Sequence, residues 1–213
     1  MSPVEPTASE TRQERKERTR QAILDAALDL VEEEGLAALS LRRLTRTVGI
    51  VPTAFYRHFA SVDELGLALV DRSFASLRQM IRGARRGDPR LSGMIRASVE
   101  ILVQHVHSDR AYFRFIARER FGGVPAVRQE IRHELELFER ELATDLARLP
   151  GLDAWSSEDL RVMANLIVNA MVSTAEDILD APPGRPEVEQ EIVRTAEKQL
   201  RLIVVGAANW RST

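Results

Sequence analysis

The chain has 213 residues, 44% of them apolar and 29% charged, with 30 Lys+Arg against 32 Asp+Glu and no Cys. This length can bury a sizeable core without staples, and the lack of Cys excludes disulfides, thiolate metal sites, Cys nucleophiles and thiol redox sensing. No run approaches the roughly 18 consecutive apolar residues of a membrane span. The opening MSPVEPTASE lacks the basic and apolar regions of a secretory signal, so a cytoplasmic protein with no membrane partner is expected.

Residues 1–10 read as a disordered tail. From about Thr11, apolar residues Ile23, Ala26, Ala27, Leu30 and Val31 recur at helical spacing, and Gly35 suits the stop. Ser40 is a plausible N-cap for a short helix over 41–48 that ends at Gly49. A third helix is predicted over about 53–59, with Pro52 near its first turn. Ser61-Val62-Asp63-Glu64 is a capping box opening a long fourth helix, broken at Gly87-Asp88-Pro89. Five more helices follow, over about 91–107, 110–121, 124–149, 157–179 and 187–208, with Ser156 or Ser157 capping the eighth. In the seventh, residues 127, 131, 135, 138, 142, 146 and 149 form one apolar stripe. No segment alternates with period two, so the chain is predicted to be all-α with about nine helices. Three parts are expected: a tail over 1–10, a DNA-binding unit over 11–62, and a ligand-binding and dimerisation unit over 63–213.

Charge is laid out unevenly. Residues 12–20 hold five bases against two acids, residues 40–60 hold four Arg and no acid, and residues 130–145 hold six acids against two Arg. A basic N-terminal part on a near-neutral chain points to a polyanion as its partner. Within it, Leu41, Leu44 and Val48 form an apolar back for one short helix, and Phe55 and Phe59 for the next. That leaves Thr53, Tyr56, Arg57 and His58 facing outward. A helix-turn-helix needs this arrangement to present polar side chains to the major groove. Ser40, Arg42, Arg43 and Thr45 on the preceding helix suit phosphate contacts.

In these residues the sequence resembles the TetR family of bacterial transcriptional repressors. The carrying pattern is Glu34-Gly35-Leu36, Leu39-Ser40-Leu41-Arg42, Val48-Gly49-Ile50, Phe55-Tyr56-Arg57-His58-Phe59 and Leu65, within about residues 15–75. The resemblance implies a homodimer on a palindromic double-stranded operator. It places Tyr56 and His58 at the DNA backbone, Pro52 and Thr53 toward the bases, and Ser40 and Arg42 at phosphates. Many members carry a Lys shortly after the recognition helix; residues 60–63 have none, and Ser61 or the fourth helix's N-terminus could substitute. Residues 49–59, 63–70 and 115–123 are similar to the branch of repressors controlling unsaturated fatty-acid synthesis, the desaturase-repressor type, which senses long-chain acyl-CoA.

An acyl chain needs an apolar tunnel with a polar mouth. The expected lining is Ile95, Val99, Leu102, Phe113, Ile116, Leu135 and Phe138, with Arg118, Arg120 and Arg128 facing the anionic head; the same apolar residues equally suit a plain helical core. Leu166, Ala170, Met171 and Thr174 on the eighth helix, and Ala196, Leu200 and Ile203 on the ninth, fall at helical steps that would suit a four-helix dimer interface; burial within one subunit is the alternative, and the resemblance favours the dimer. Glu119 reads as a surface or interhelix pair. His105 and His107 do not share a face, so no metal site is expected with His133. Neither a catalytic motif nor a cofactor motif is found, so the expectation is a regulator, not an enzyme. A regulator of the same fold answering a drug-like or other hydrophobic ligand stays open, as does, more remotely, a helical lipid-binding protein or enzyme.

Overall fold

The computed structural model describes residues 11–84 and 91–212. Among these residues are nine α-helices, one 3₁₀ turn and no strand. The tail expected over 1–10 and the Gly87-Asp88-Pro89 break lie outside the described residues.

Helix α1 (Arg12–Glu34) opens on a capping box: the Glu14 amide donates to Thr11 Oγ1 at 3.2 Å, and the Thr11 amide donates to Glu14 Oε2 at 2.6 Å. It closes at Gly35, whose φ of 80° suits glycine. A 3₁₀ turn over Leu36–Ala38 follows, too short for periodicity to reveal. Ser40 caps α2 (Leu41–Val48), and left-handed Gly49 ends it. Helix α3 is shorter than expected, Pro52–Phe55. The amides of Arg57 and His58 bond three residues back, to Ala54 and Phe55 carbonyls, so the chain tightens through 56–58. Helix α4 runs Val62–Ala84. Beyond it lie α5 (Leu91–Ser108), α6 (Arg110–Glu119), α7 (Pro125–Leu146), α8 (Ser157–Asp180) and α9 (Pro186–Asn209). Helix α7 stops before Leu149 because Arg148 and Leu149 also bond three residues back, ahead of Pro150. Ser156 caps α8.

The principal apolar cluster ignores the expected domain boundary. Ile23, Val31, Leu36, Leu44, Phe55 and Phe59 from the first three helices and the 3₁₀ turn join Leu65, Leu69 and Phe74 of α4, Phe115 and Ile116 of α6, and Val127, Ile131 and Phe138 of α7. At the centre of this junction is Gly66. A Cβ there would stand 2.5 Å from Leu36 Cδ2 and 2.7 Å from Val127 Cγ2, so only glycine lets α4 pass so close to both neighbours. Smaller clusters join α5, α6 and α8, then α7, α8 and α9, then α5 and α9.

Helix α8 is long and apolar enough, by length and composition, to cross a bilayer. Here it packs against α5, α6, α7 and α9. Its outer face carries exposed Val162 and Leu166, and α9 adds Leu202 and Val205.

Candidate nucleic-acid interface and ligand cavity

Phe55 and Phe59 are fully buried with ring centroids 5.7 Å apart, which locks the tightened segment 52–59 onto the core. Tyr56 and Arg57 between them are consequently turned outward. Pro52, Thr53, Tyr56 and Arg57 are exposed and His58 is half-buried. Tyr56 is 58% exposed and touches Phe55 edge-on, with centroids 5.5 Å apart and planes at 85°. Ser40 and Arg42 are exposed on the preceding element. Arg20 of α1 stands over the Phe59 ring at 4.8 Å. Burial first, then the charges of Lys16 and Arg20, hold His58 below the ordinary histidine pKa; Glu17 opposes this and Arg57 adds to it.

Two residues expected near phosphates are otherwise engaged. Arg43 turns back to Glu33 at 2.6 Å and Glu34 at 3.4 Å. Thr45 is buried, its hydroxyl donating to the Leu41 carbonyl at 3.0 Å, the usual fate of a hydroxyl on a helix's inner face. The α4 N-terminus is occupied too: the Glu64 amide donates to Ser61 Oγ at 3.1 Å, and Glu64 Oε2 accepts from the Ala60 amide at 2.5 Å. It therefore carries its own anion, which weakens it as a substitute phosphate anchor.

A cavity of about 680 Å³ runs through the other half. Ile95, Leu102, Phe113, Ile116, Leu135 and Phe138 line it as expected. Val99 does not: one residue round α5 from Ser98, it packs against Ala196 and Leu200 of α9. Sequence reasoning missed the α8 wall, including Ile167, Val168 and Met171, and the end formed by Trp155 and Trp210. The apolar periodicity of α8 is the available signal, but a stripe of that kind suits a dimer face equally well. Charged lining comes from Arg120, Glu141, Asp145 and Glu176, with Arg120 Nε 3.3 Å from Glu176 Oε1.

Arg118 is not in this cavity. It donates to the Glu32 carbonyl of α1 at 2.8 Å, because α6 presents 113, 116, 117 and 120 to the cavity and the next residues round the helix to α1. Arg114 pairs with the Glu32 carboxylate at 2.8 Å. Glu119, expected at the surface or in an interhelix pair, is 2% exposed, and its Oε1 accepts from the Leu36 amide at 2.9 Å. Arg128 donates to the Gly122 carbonyl, and Arg132 is exposed. One face of α6 thus walls the cavity while the other grips the end of α1.

The residues expected at a dimer face are mostly turned inward. Thr174, Ala196 and Leu200 are buried inside the subunit, while Ala170, Met171 and Ile203 are half-buried. Of the predicted set only Leu166 is exposed, alongside Val162, Leu202 and Val205. The small residues, which suit close approach between subunits, serve close approach within one.

The structure does not gather the histidines: His105 bonds to the Ile101 carbonyl and His107 to Glu189. Carboxylate oxygens of Asp71, Glu130 and Glu134 lie within 4.8 Å of one another, and Glu134 pairs with Arg78 at 2.6 Å.

Residues 23–69 match the family model described as bacterial regulatory proteins, tetR family, and residues 91–206 match the one described as tetracyclin repressor-like, C-terminal domain. Among solved structures, a transcriptional regulator from Rhodococcus sp. Rha1 is similar at 21% identity and a TM-score of 0.65, covering 89% of this chain and 97% of that one. The fatty acid degradation regulator FadR from Bacillus halodurans superposes at 12% identity and a TM-score of 0.67, covering 92% and 97%. FadR from Bacillus subtilis, in complex with stearoyl-CoA, does so at 15% identity and a TM-score of 0.65, covering 87% and 98%. At these identities the likeness is one of fold.

Proposed function

Since this chain belongs to the TetR family of bacterial DNA-binding transcriptional regulators, we propose that it is a cytoplasmic, homodimeric repressor released from a palindromic operator by a long apolar effector, a fatty acyl-CoA. The supporting observation is the two-faced α6. A cavity of about 680 Å³, inside the roughly 300–1,000 Å³ range of small-molecule sites, lies against the same helix that holds α1 through Arg114 and Arg118 and the 3₁₀ turn through Glu119. An effector that alters α6 alters the seat of the recognition segment, provided it binds one arrangement better than the other.

An acyl chain matches the largely apolar lining, with burial contributing about 0.8 kcal/mol per methylene. The stearoyl-CoA complex of a protein with this fold supports the class, as does the similarity to the desaturase-repressor branch; control of fatty-acid or desaturase genes follows from the same reading. Arg120 is the cation placed to meet the anionic head, in exchange for Glu176. In the docking proposed here, Thr53 and Pro52 face bases, while Ser40, Arg42, Tyr56, Arg57 and His58 meet phosphates. A second reading draws on Glu141, Asp145 and Glu176 among Trp155 and Trp210 in the lining: acids and aromatics favour a cationic, drug-like ligand.

The test is thermal shift and calorimetric titration with acyl-CoAs of graded length, free fatty acids and cationic dyes, followed by operator binding with each. A long-chain acyl-CoA is expected to raise the melting temperature and lower operator affinity. Leu102→Trp or Phe138→Trp should shorten the longest chain accepted. Binding of a dye but of no acyl-CoA would replace the first reading by the second.

A further inference from the structure

The first eleven residues of α1, Arg12 to Ala22, contribute nothing to the buried core, which begins at Ile23. At 1.5 Å per residue they form a stem about 16 Å long, exposed over residues 12–18 and half-buried at Thr19, Arg20 and Gln21. On one face of the stem, at four-residue steps, stand Arg12, Lys16 and Arg20. The position of that face is fixed by one contact, made by Arg20, and agrees with the charges felt at His58. Arg20 lies over the Phe59 ring, and Lys16 and Arg20 both act electrostatically on His58. The stripe therefore starts at the C-terminal end of the recognition segment and leads away from it by about 12 Å, with cations about 6 Å apart. The flank on the other side of that segment has no cation to offer. Residues 60–71 contain no Lys or Arg, and the α4 N-terminus is filled by Ser61 and Glu64.

We propose that Arg12 and Lys16, with Arg20 as their anchored base, form a phosphate clamp that runs along the duplex backbone beyond the base pairs faced by the recognition segment. The occupant is double-stranded DNA outside the half-site. A row of closely spaced cations, with Glu14 folded back onto Thr11, suits a row of backbone phosphates. The clamp lengthens the footprint and adds affinity without sequence preference. It rests on the docking proposed above for Tyr56.

The test uses the full chain and a duplex selected by it from a random pool, in two lengths: one trimmed to the half-sites and one extended by about half a helical turn, roughly 5 base pairs, at each end. For wild type, the extension should tighten binding. In Arg12→Gln/Lys16→Gln, which keeps the stem helical, the extension should add nothing. The log–log salt slope should also be shallower by about 0.9 for each phosphate that is no longer neutralised. Arg148→Gln, at an exposed site on the far half, should behave as wild type. If the double variant keeps both the slope and the gain from extension while Tyr56→Ala binds weakly, the clamp is refuted and the docking stands. If Tyr56→Ala also binds as wild type, the docking itself fails and the clamp with it. Capture of an acidic protein by the stem, with no change on DNA, would likewise overturn the assignment.

Discussion

In the proposed docking, His58 would couple the interface to pH. In the free protein, burial and the cations Lys16 and Arg20 hold its pKa below the ordinary histidine value. Folding thus favours neutral imidazole: the stability contribution is present above the unfolded value near 6.5 and is lost as pH falls through the depressed folded value. A DNA phosphate at His58 acts in the opposite direction, raising the pKa in the complex. Operator affinity should therefore be gained as pH falls through the bound value. Binding isotherms from pH 8 to pH 5.5 should show this rise in wild type and a flatter profile in His58→Gln; equal profiles would place His58 away from phosphate. The outward placement of Thr53, Tyr56 and Arg57 was legible in the sequence because two phenylalanines four apart leave their neighbours few directions, whereas His58, expected beside them, is half-buried. Arg118 was not legible as a joint. A guanidinium beside apolar residues has the same local sequence whether it faces a ligand or a carbonyl 86 residues away.

At the scale of elements, α6 is where the cavity and the end of α1 meet. Glu119 is the inner contact. Glu119→Ala removes the acceptor of the Leu36 amide and leaves that donor buried and unpaired, a cost of about 1–3 kcal/mol. Chemical denaturation should report the loss, and the ratio of operator affinities with and without effector should move toward one. Glu119→Gln retains an acceptor oxygen and should stay close to wild type in both. An alanine variant with unchanged stability and unchanged response would remove α6 as the joint. The helices were readable from caps and periodicity: Ser40, Ser61 and Ser156 all cap where expected. What periodicity could not supply was the division of labour on helices with two apolar faces. Val99 and Leu102 share one stripe in the sequence, but only Leu102 reaches the cavity, since choosing between α9 and the void depends on how α5 is rotated.

For the molecule as a whole, the dimer face proposed is the exposed line on α8 and α9, in place of the largely buried set expected from the sequence. Leu202, 71% exposed, tolerates a charge in the isolated subunit, so Leu202→Glu should yield a folded monomer with weakened operator binding, measurable by sedimentation and by titration. Ala196→Glu, at a site 2% exposed, should instead destabilise the subunit, because a lone charge is taken out of water. A Leu202→Glu variant that stays dimeric would move the interface elsewhere.

Gly66 carries a consequence for how freely such regulators can be recombined. The N-terminal helices have no closed core of their own: Leu36 fits against α4 at Gly66, where a side chain is missing, and Val127 of α7 approaches the same point. A graft of residues 11–61 onto another body would have to import the matching hollow at Gly66 and the acceptor at Glu119. Otherwise the grafted recognition segment would have no fixed seat. On the proposed docking, specificity for DNA would thus be tied to this particular body, and the two would be exchangeable only along the α4–α6–α7 surface on which they meet.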